Sequence, residues 1–191
     1  SGALSAENVI FCKWGRKKNG GGHGTTAYRM SYQFSVESSG RTVWRLGDGG
    51  VNGSFQTMYG STTIQEETWY HVAITYADGG AGASGTAKLY INGSLEDTAT
   101  SCHSLATDVN FLPAKDFGGA NIWFDGKMAD IRVYDAELSA SNISTLHGTN
   151  PTSSGNYPVI SGVEPLIWWK LGEEFTAMDS SAGTKREGIC H

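Results

Sequence analysis

Residues 68–100 read TWYHVAITY, ADGGAGASG, TAKLYING and SLEDTAT, and this stretch decides the fold. Tyr70, Val72, Ile74 and Tyr76 alternate with Trp69, His71, Ala73 and Thr75, the period of two that marks a strand. Ala87, Leu89 and Ile91 alternate in the same way with Thr86, Lys88, Tyr90 and Asn92, giving one apolar and one wet face. Asn92-Gly93 supplies the left-handed backbone that a two-residue hairpin turn requires. Leu95 and Ala99 continue the apolar side on the return strand. Three successive antiparallel strands follow, and such a sheet packs its apolar face on a second sheet.

The flanking sequence extends the pattern. Residues 28–37 alternate Tyr28, Met30, Tyr32, Phe34 and Val36 against Arg29, Ser31, Gln33, Ser35 and Glu37, the cleanest strand signature in the chain. Residues 41–46 return with Thr42, Trp44 and Leu46 on one side, and residues 54–59 form a weaker strand. Residues 8–14 (NVIFCKW) are apolar on both sides, as expected of an interior strand, with Cys12 a buried thiol. Residues 15–26 are Gly-rich and basic, which predicts a loop with Arg16-Lys17-Lys18 in solvent. Residues 128–134 (MADIRVY) predict a strand with Ala129, Ile131 and Val133 inward and Asp130 and Arg132 outward. One short helix is expected over 138–143, with Ser139 as its N-cap. Residues 148–162 are rich in Pro, Ser, Thr and Asn and read as a linker or a crossing loop. Residues 166–171 (LIWWKL) are strand-like again.

Composition narrows the function classes. Twenty-six Gly, four Pro and 17% charged residues in a 191-residue chain suit many short strands joined by tight turns. A net charge of −5 argues against a nucleic-acid surface. No apolar run approaches the ~20 residues of a spanning helix, so membrane insertion is not expected. Cys12, Cys102 and Cys190 are widely spaced, which excludes a zinc pattern and leaves open a disulfide between two of them. No signal-peptide architecture opens the chain, and Ser1-Gly2 reads as a scar of tag removal from a module of a longer protein.

Three pieces together resemble the laminin-G-like jellyroll of the concanavalin A-like lectin/glucanase superfamily, in its bacterial or phage branch. They are residues 68–76 with 87–93 (TWYHVAITY and AKLYING), residues 124–138 (FDGKMADIRVYDAEL) and the 139–143 turn. The resemblance implies an all-β, two-sheet antiparallel jellyroll sandwich with at most one short helix. Residues 167–183 (IWWKLGEEFTAMDSSAG) look like the family's opening strand and loop, displaced to the end of the chain. The reading is a single domain over 1–191. Residues 166–191 then fold back after the 148–162 loop as a permuted first strand; otherwise they start a following copy.

Catalysis is not expected. Glucanases of this fold need two closely spaced carboxylates on one strand face, whereas Glu66-Glu67 and Glu173-Glu174 are adjacent pairs that a strand sends to opposite faces. Calcium suits the oxygen-rich loops better, since the ion takes six to eight oxygens, many of them backbone carbonyls. The candidates are Asp48 and Asn52 in GDGGVNGS and Asp125 at the FDG turn, with Asp108 and Asn110 beside them. The bland alternative is that turns favour Asp and Asn anyway. Trp44, Tyr59, Trp123 and Tyr157 fall at strand ends or in loops, where a ring can stack on a sugar, although core packing is the commoner role for each alone. The chosen ligand-binding residues are Trp123 as platform with Asn52 and Asn121 as hydrogen-bond partners. The expectation is a non-catalytic carbohydrate-binding or adhesion module of a larger protein, extracellular, at the cell surface or on a virion. Its partner would be a glycan or cell-surface polysaccharide, with other protein subunits as further partners. The rival is a structural domain of a phage or viral particle, a capsid decoration or fibre, that binds no glycan.

Overall fold

The computed structural model describes residues 7–18, 26–47, 55–79, 84–102, 111–113, 124, 126–148 and 157–170. Among these lie β1 (Asn8–Lys18), β2 (Thr26–Val36), β3 (Arg41–Gly47), β4 (Phe55–Thr63), β5 (Val72–Ala77), β6 (Gly85–Ile91), β7 (Ser94–Cys102), β8 (Phe111–Pro113), β9 (Ile131–Val133), α1 (Ala140–His147) and β10 (Ile167–Trp169). The chain divides into two compact units, residues 1–125 and residues 126–191.

In the first unit an antiparallel sheet in the order β4-β3-β2-β1-β8 accompanies an antiparallel sheet in the order β5-β6-β7. Alternation along each strand sends one apolar set into a common core. Phe34, Trp44, Leu46 and Met58 come from the larger sheet, and Ala87, Leu89, Ile91, Ala99 and Cys102 from the smaller. Each large aliphatic or aromatic side chain buried there contributes about 1.5–3 kcal/mol. Phe11, Tyr32, Phe34 and Trp44 meet as an aromatic group, with Tyr32 stacked on Trp44 at 5.3 Å between ring centroids. The expected all-β sandwich is what the chain forms.

Several local expectations change. β1 does not stop at Trp14. It continues through the basic run, with Arg16 opposite Tyr28, Lys17 opposite Ala27 and Lys18 opposite Thr26, because β2 is long enough to pair it. The polar face of β2 is buried as well as the apolar one, with Ser31, Gln33 and Ser35 all nearly inaccessible. Trp44 lies mid-strand in the core rather than at an exposed strand end.

The hairpin joining β6 and β7 turns on Asn92 and Gly93, with φ of 50° and 77°, the left-handed pair that the dipeptide predicts. Asn92 also ties the turn to the approach of β5. Its N–H donates to His71 O at 2.8 Å, and its side-chain oxygen accepts from His71 N at 3.0 Å. Beyond the turn a register shift leaves Leu89 opposite Asp97 and Tyr90 opposite Leu95, so Glu96 has no cross-strand partner. The shift breaks the simple alternation expected of the return strand. Leu95 is 53% exposed rather than inward, and Tyr90 is buried rather than wet. Ala99 still faces the core opposite Ala87.

In the second unit Asp130 takes a φ of 54°. That backbone is not extended, so the strand expected over 128–134 shrinks to β9. α1 starts where its cap predicts, Ser139 Oγ accepting from Asn142 N at 3.1 Å, and it runs further than expected, to His147. Ile143 and Leu146, three apart on one face, are its buried side chains. β10 pairs antiparallel with β9, Ile167 opposite Val133, Trp168 opposite Arg132 and Trp169 opposite Ile131.

Candidate functional site

Asp48, Asn52, Asn121, Trp123 and Asp125, together with Asp108 and Asn110, lie outside the described residues. The strands around them fix where their segments attach. Lys18 faces Thr26 at the β1–β2 end, and Gly47 faces Phe55 at the β3–β4 end. β8 runs antiparallel to β1, with Phe111 opposite Lys13. Lys18, Thr26, Gly47, Phe55 and Phe111 are therefore the strand ends at one and the same end of the larger sheet. The turn over residues 37–40 closes the other end, where Gly40, at φ of 82°, donates to Glu37 O at 2.8 Å.

The inward and edge carboxylates among the described residues hold structure together. β4 is an edge strand of its sheet, and an edge presents N–H groups that need an acceptor. The shift at Glu96 aims two carboxylates of β7 at them. Asp97 Oδ2 accepts from Tyr59 N at 3.0 Å, and Glu96 Oε2 accepts from Ser61 N at 2.8 Å and Thr62 N at 3.1 Å. Thr62 Oγ1 donates to the other Glu96 oxygen. Gly60 lets the strands come this close, since a Cβ there would lie 1.9 Å from Thr42 Oγ1 and 2.7 Å from Glu96 Oε2. Gln56 Nε2 adds a bond to Thr100 O at 2.7 Å. Together these bonds clip the two sheets edge to edge.

Glu7 accepts from Arg45, Ser35 and Gln33, which explains how Gln33 and Ser35 are buried at modest cost. Glu37 accepts from Arg41 Nη2 at 3.0 Å, and the Arg41 guanidinium lies 4.0 Å over the ring of Tyr59. In the second unit Asp130 accepts from Arg132 Nε at 2.7 Å and Nη2 at 3.0 Å and from Trp168 Nε1 at 2.8 Å. Their side chains are largely buried, contrary to the outward placement expected from alternation. Trp168 lies under the Arg132 guanidinium at 4.2 Å and meets Tyr157 edge to face at 6.0 Å. The sequence signal that would have found this cluster is Asp130-x-Arg132, two opposite charges two residues apart at the start of an apolar stretch.

Titration follows burial. Tyr32 is pushed up to about 12, first by burial and then by Cys12 beside it. Burial also raises Tyr76, with Asp78 and Cys102 adding to it. Cys102 is raised by burial and eased by a hydrogen bond with the Ala87 backbone. Cys12 and Cys102 are buried thiols, and Cys190 lies outside the described residues. Among the described residues no group of three His, Cys, Asp or Glu side chains converges as a metal site. Among the described residues of the first unit Phe55, Trp69 and Tyr59 are exposed aromatics, and Tyr157 in the second is half-buried.

Two antiparallel sheets that share one apolar core define a β-sandwich. The sequence matches the concanavalin A-like lectin/glucanases superfamily over residues 3–144, and the chain belongs to that family. Among solved structures it is similar to an S-layer domain-containing protein from Clostridium thermocellum ATCC 27405, at 23% identity and a TM-score of 0.36. That alignment covers 74% of this chain and 63% of the other, so the chain spans less than two thirds of its length. A search of curated proteins found no match. Among the described residues no helix is long and apolar enough to cross a membrane.

Proposed function

We propose that this chain is a non-catalytic carbohydrate-binding or adhesion module of a larger extracellular, cell-surface or virion protein. The observation that carries the reading is the family sandwich in which, among the described residues, the carboxylates of Glu7, Glu96, Asp97 and Asp130 accept bonds that close the fold. A glycosidase turns a pair of carboxyl groups towards the scissile bond of the sugar. Loops on a rigid sandwich are where such a protein carries its recognition. Trp123 is the stacking platform of this reading, with Asn52 and Asn121 as hydrogen-bond partners. Calcium sits with Asp48, Asn52 and Asp125, where it would order the same loops.

A single shallow site of this kind binds at roughly millimolar to micromolar strength, about −4 to −8 kcal/mol, and adhesion then depends on several copies acting together. The test is a glycan array in calcium and in chelator, followed by titration calorimetry on the sugars retained, with Trp123→Ala alongside. Saccharide binding that Trp123→Ala abolishes supports the module. Silence across the array in both buffers transfers the case to a structural domain of a phage or viral particle. One observation favours that second reading: Val159, Leu166, Ile167 and Trp169 expose apolar surface within one short segment.

A further inference from the structure

Asn92-Gly93 turns the β6–β7 hairpin, and the same dipeptide carries a chemistry that the turn does not use. The side-chain carbon Cγ of an Asn and the backbone nitrogen of the next residue can close a succinimide ring. A side chain on that next residue hinders the closure, and Gly93 has none. Asn92 is exposed, so water reaches it. The turn stands on positive φ at both residues, 50° at Asn92 and 77° at Gly93. That backbone is uncommon for a residue with a side chain, and two bonds to one neighbour hold it. Asn92 N donates to His71 O at 2.8 Å, and Asn92 Oδ1 accepts from His71 N at 3.0 Å. Both bonds end on the residue that leads into β5.

We propose that Asn92 is a self-modifying site, converted to aspartyl and isoaspartyl forms at a rate that its clasp on His71 sets. Gly93 N loses its proton to solvent and attacks Asn92 Cγ, forming a new N–C bond. The Cγ–Nδ2 bond breaks, and Nδ2 takes up a proton from water and leaves as ammonia. Water then opens the ring at one of its two carbonyls. Breaking the bond from Gly93 N to Cγ gives an aspartate in an unchanged backbone. Breaking the bond from Gly93 N to the main-chain carbonyl carbon routes the backbone through Cβ and Cγ, the isoaspartyl form. The balance is one amide and one water giving one carboxylic acid and one ammonia. No group changes oxidation state, and water is the only reagent.

While Oδ1 accepts from His71 N, the amide is engaged with the approach to β5, and Cγ does not turn to Gly93 N. The reaction waits for the turn to open. Releasing hydrogen bonds of ordinary net strength slows it about tenfold or more relative to an unfolded chain. The two products then diverge. Aspartate keeps an oxygen where Oδ1 stood, so it still accepts from His71 N. The isoaspartyl form has a longer backbone and holds its carboxylate directly on Cα, so it fits neither the two-residue turn nor the bond to His71. Each isoaspartyl event therefore frees the approach to β5 from the hairpin and is not reversed by refolding. The site lies beyond the glycan reading and stands or falls without it.

The experiment compares two rates on the full, isotope-labelled chain in one warm, mildly alkaline buffer. Peptide mapping by mass spectrometry follows acid formation at Asn92 and separates the aspartyl from the isoaspartyl peptide. Asn19-Gly20 and Asn52-Gly53 carry the same dipeptide, so the mapping assigns the change to one position. The same chain in urea gives the unhindered rate. Nuclear magnetic resonance follows hydrogen exchange at the His71 amide, which needs the same local opening. Asn92 should react at least about tenfold more slowly in the folded chain than in urea. That slowing should equal the protection of the His71 amide to within about tenfold. The isoaspartyl product should lose this protection, and an Asn92→Asp variant should retain it. Reaction of the folded chain at the urea rate overturns the inference. So does a His71 amide no better protected than in urea, or an Asn92 still intact after the time in which the exchange rate requires full conversion.

Discussion

Replacing Glu96 by Ala should loosen the edge where the two sheets of the first unit meet. The carboxylate accepts from Ser61 N at 2.8 Å, Thr62 N at 3.1 Å and the Thr62 hydroxyl. A hydrogen bond to a charged group contributes about 1.5–3 kcal/mol when the alternative is an unmet donor. Glu96 is only half-buried, so water reaches part of the vacated edge and the three bonds do not add in full. The expected loss is about 2–3 kcal/mol, which for a chain of this size lowers the melting temperature by about 4–12 °C. Glu96→Gln keeps one acceptor oxygen and should lose roughly half as much. A double-mutant cycle with Thr62→Val isolates the hydroxyl bond, with an expected coupling of about 1 kcal/mol. The assay is thermal and urea unfolding followed by far-ultraviolet circular dichroism, with light scattering to detect the aggregation that an uncovered edge promotes. A Glu96→Ala protein within about 0.5 kcal/mol of the parent would refute the reasoning, because it would show that water serves the β4 edge as well as the carboxylate does.

Gly60→Ala should cost about 1–3 kcal/mol by overpacking the same joint, since its Cβ meets Thr42 Oγ1 at 1.9 Å; an unchanged urea midpoint would contradict the close approach. Tyr32 is raised from 10.0 to about 12, so the folded state holds its phenolic proton more tightly than the unfolded state does. Its stabilisation is complete below pH ~10 and is lost as pH rises towards 12, about 2–3 kcal/mol in all. Tyr32→Phe should flatten that alkaline limb in unfolding curves taken from pH 9 to 12, and an identical limb would sink the assignment. Calcium in millimolar excess should raise the melting temperature through Asp48, Asn52 and Asp125, by up to about 2.7 kcal/mol of stability at a hundredfold excess over Kd. Superimposable melting curves in calcium and in chelator would remove the ion from the account.

The sequence by itself determined what depends on near neighbours. Alternation along residues 28–37 and 86–91 marks strands because successive side chains leave a pleated backbone on opposite faces. Asn92-Gly93 marks the hairpin because both residues tolerate positive φ, and Ser139 marks the helix start because its hydroxyl reaches the open N–H of Asn142. The residues proposed for glycan and calcium binding rest on loop chemistry alone, and they lie outside the described residues. Tertiary structure decided what depends on partners far away in the chain. A bulge is invisible in one strand's pattern, so Leu95 reads as inward until the β6–β7 register turns it outward and aims Glu96 at β4. Asp130 and Arg132 read as outward charges from alternation alone. Arg45 and Glu7 meet across 38 residues, and Asp130 meets Trp168 across the same distance. Burial of a charge is favourable only once its partner is in place, and only the folded chain brings those partners together.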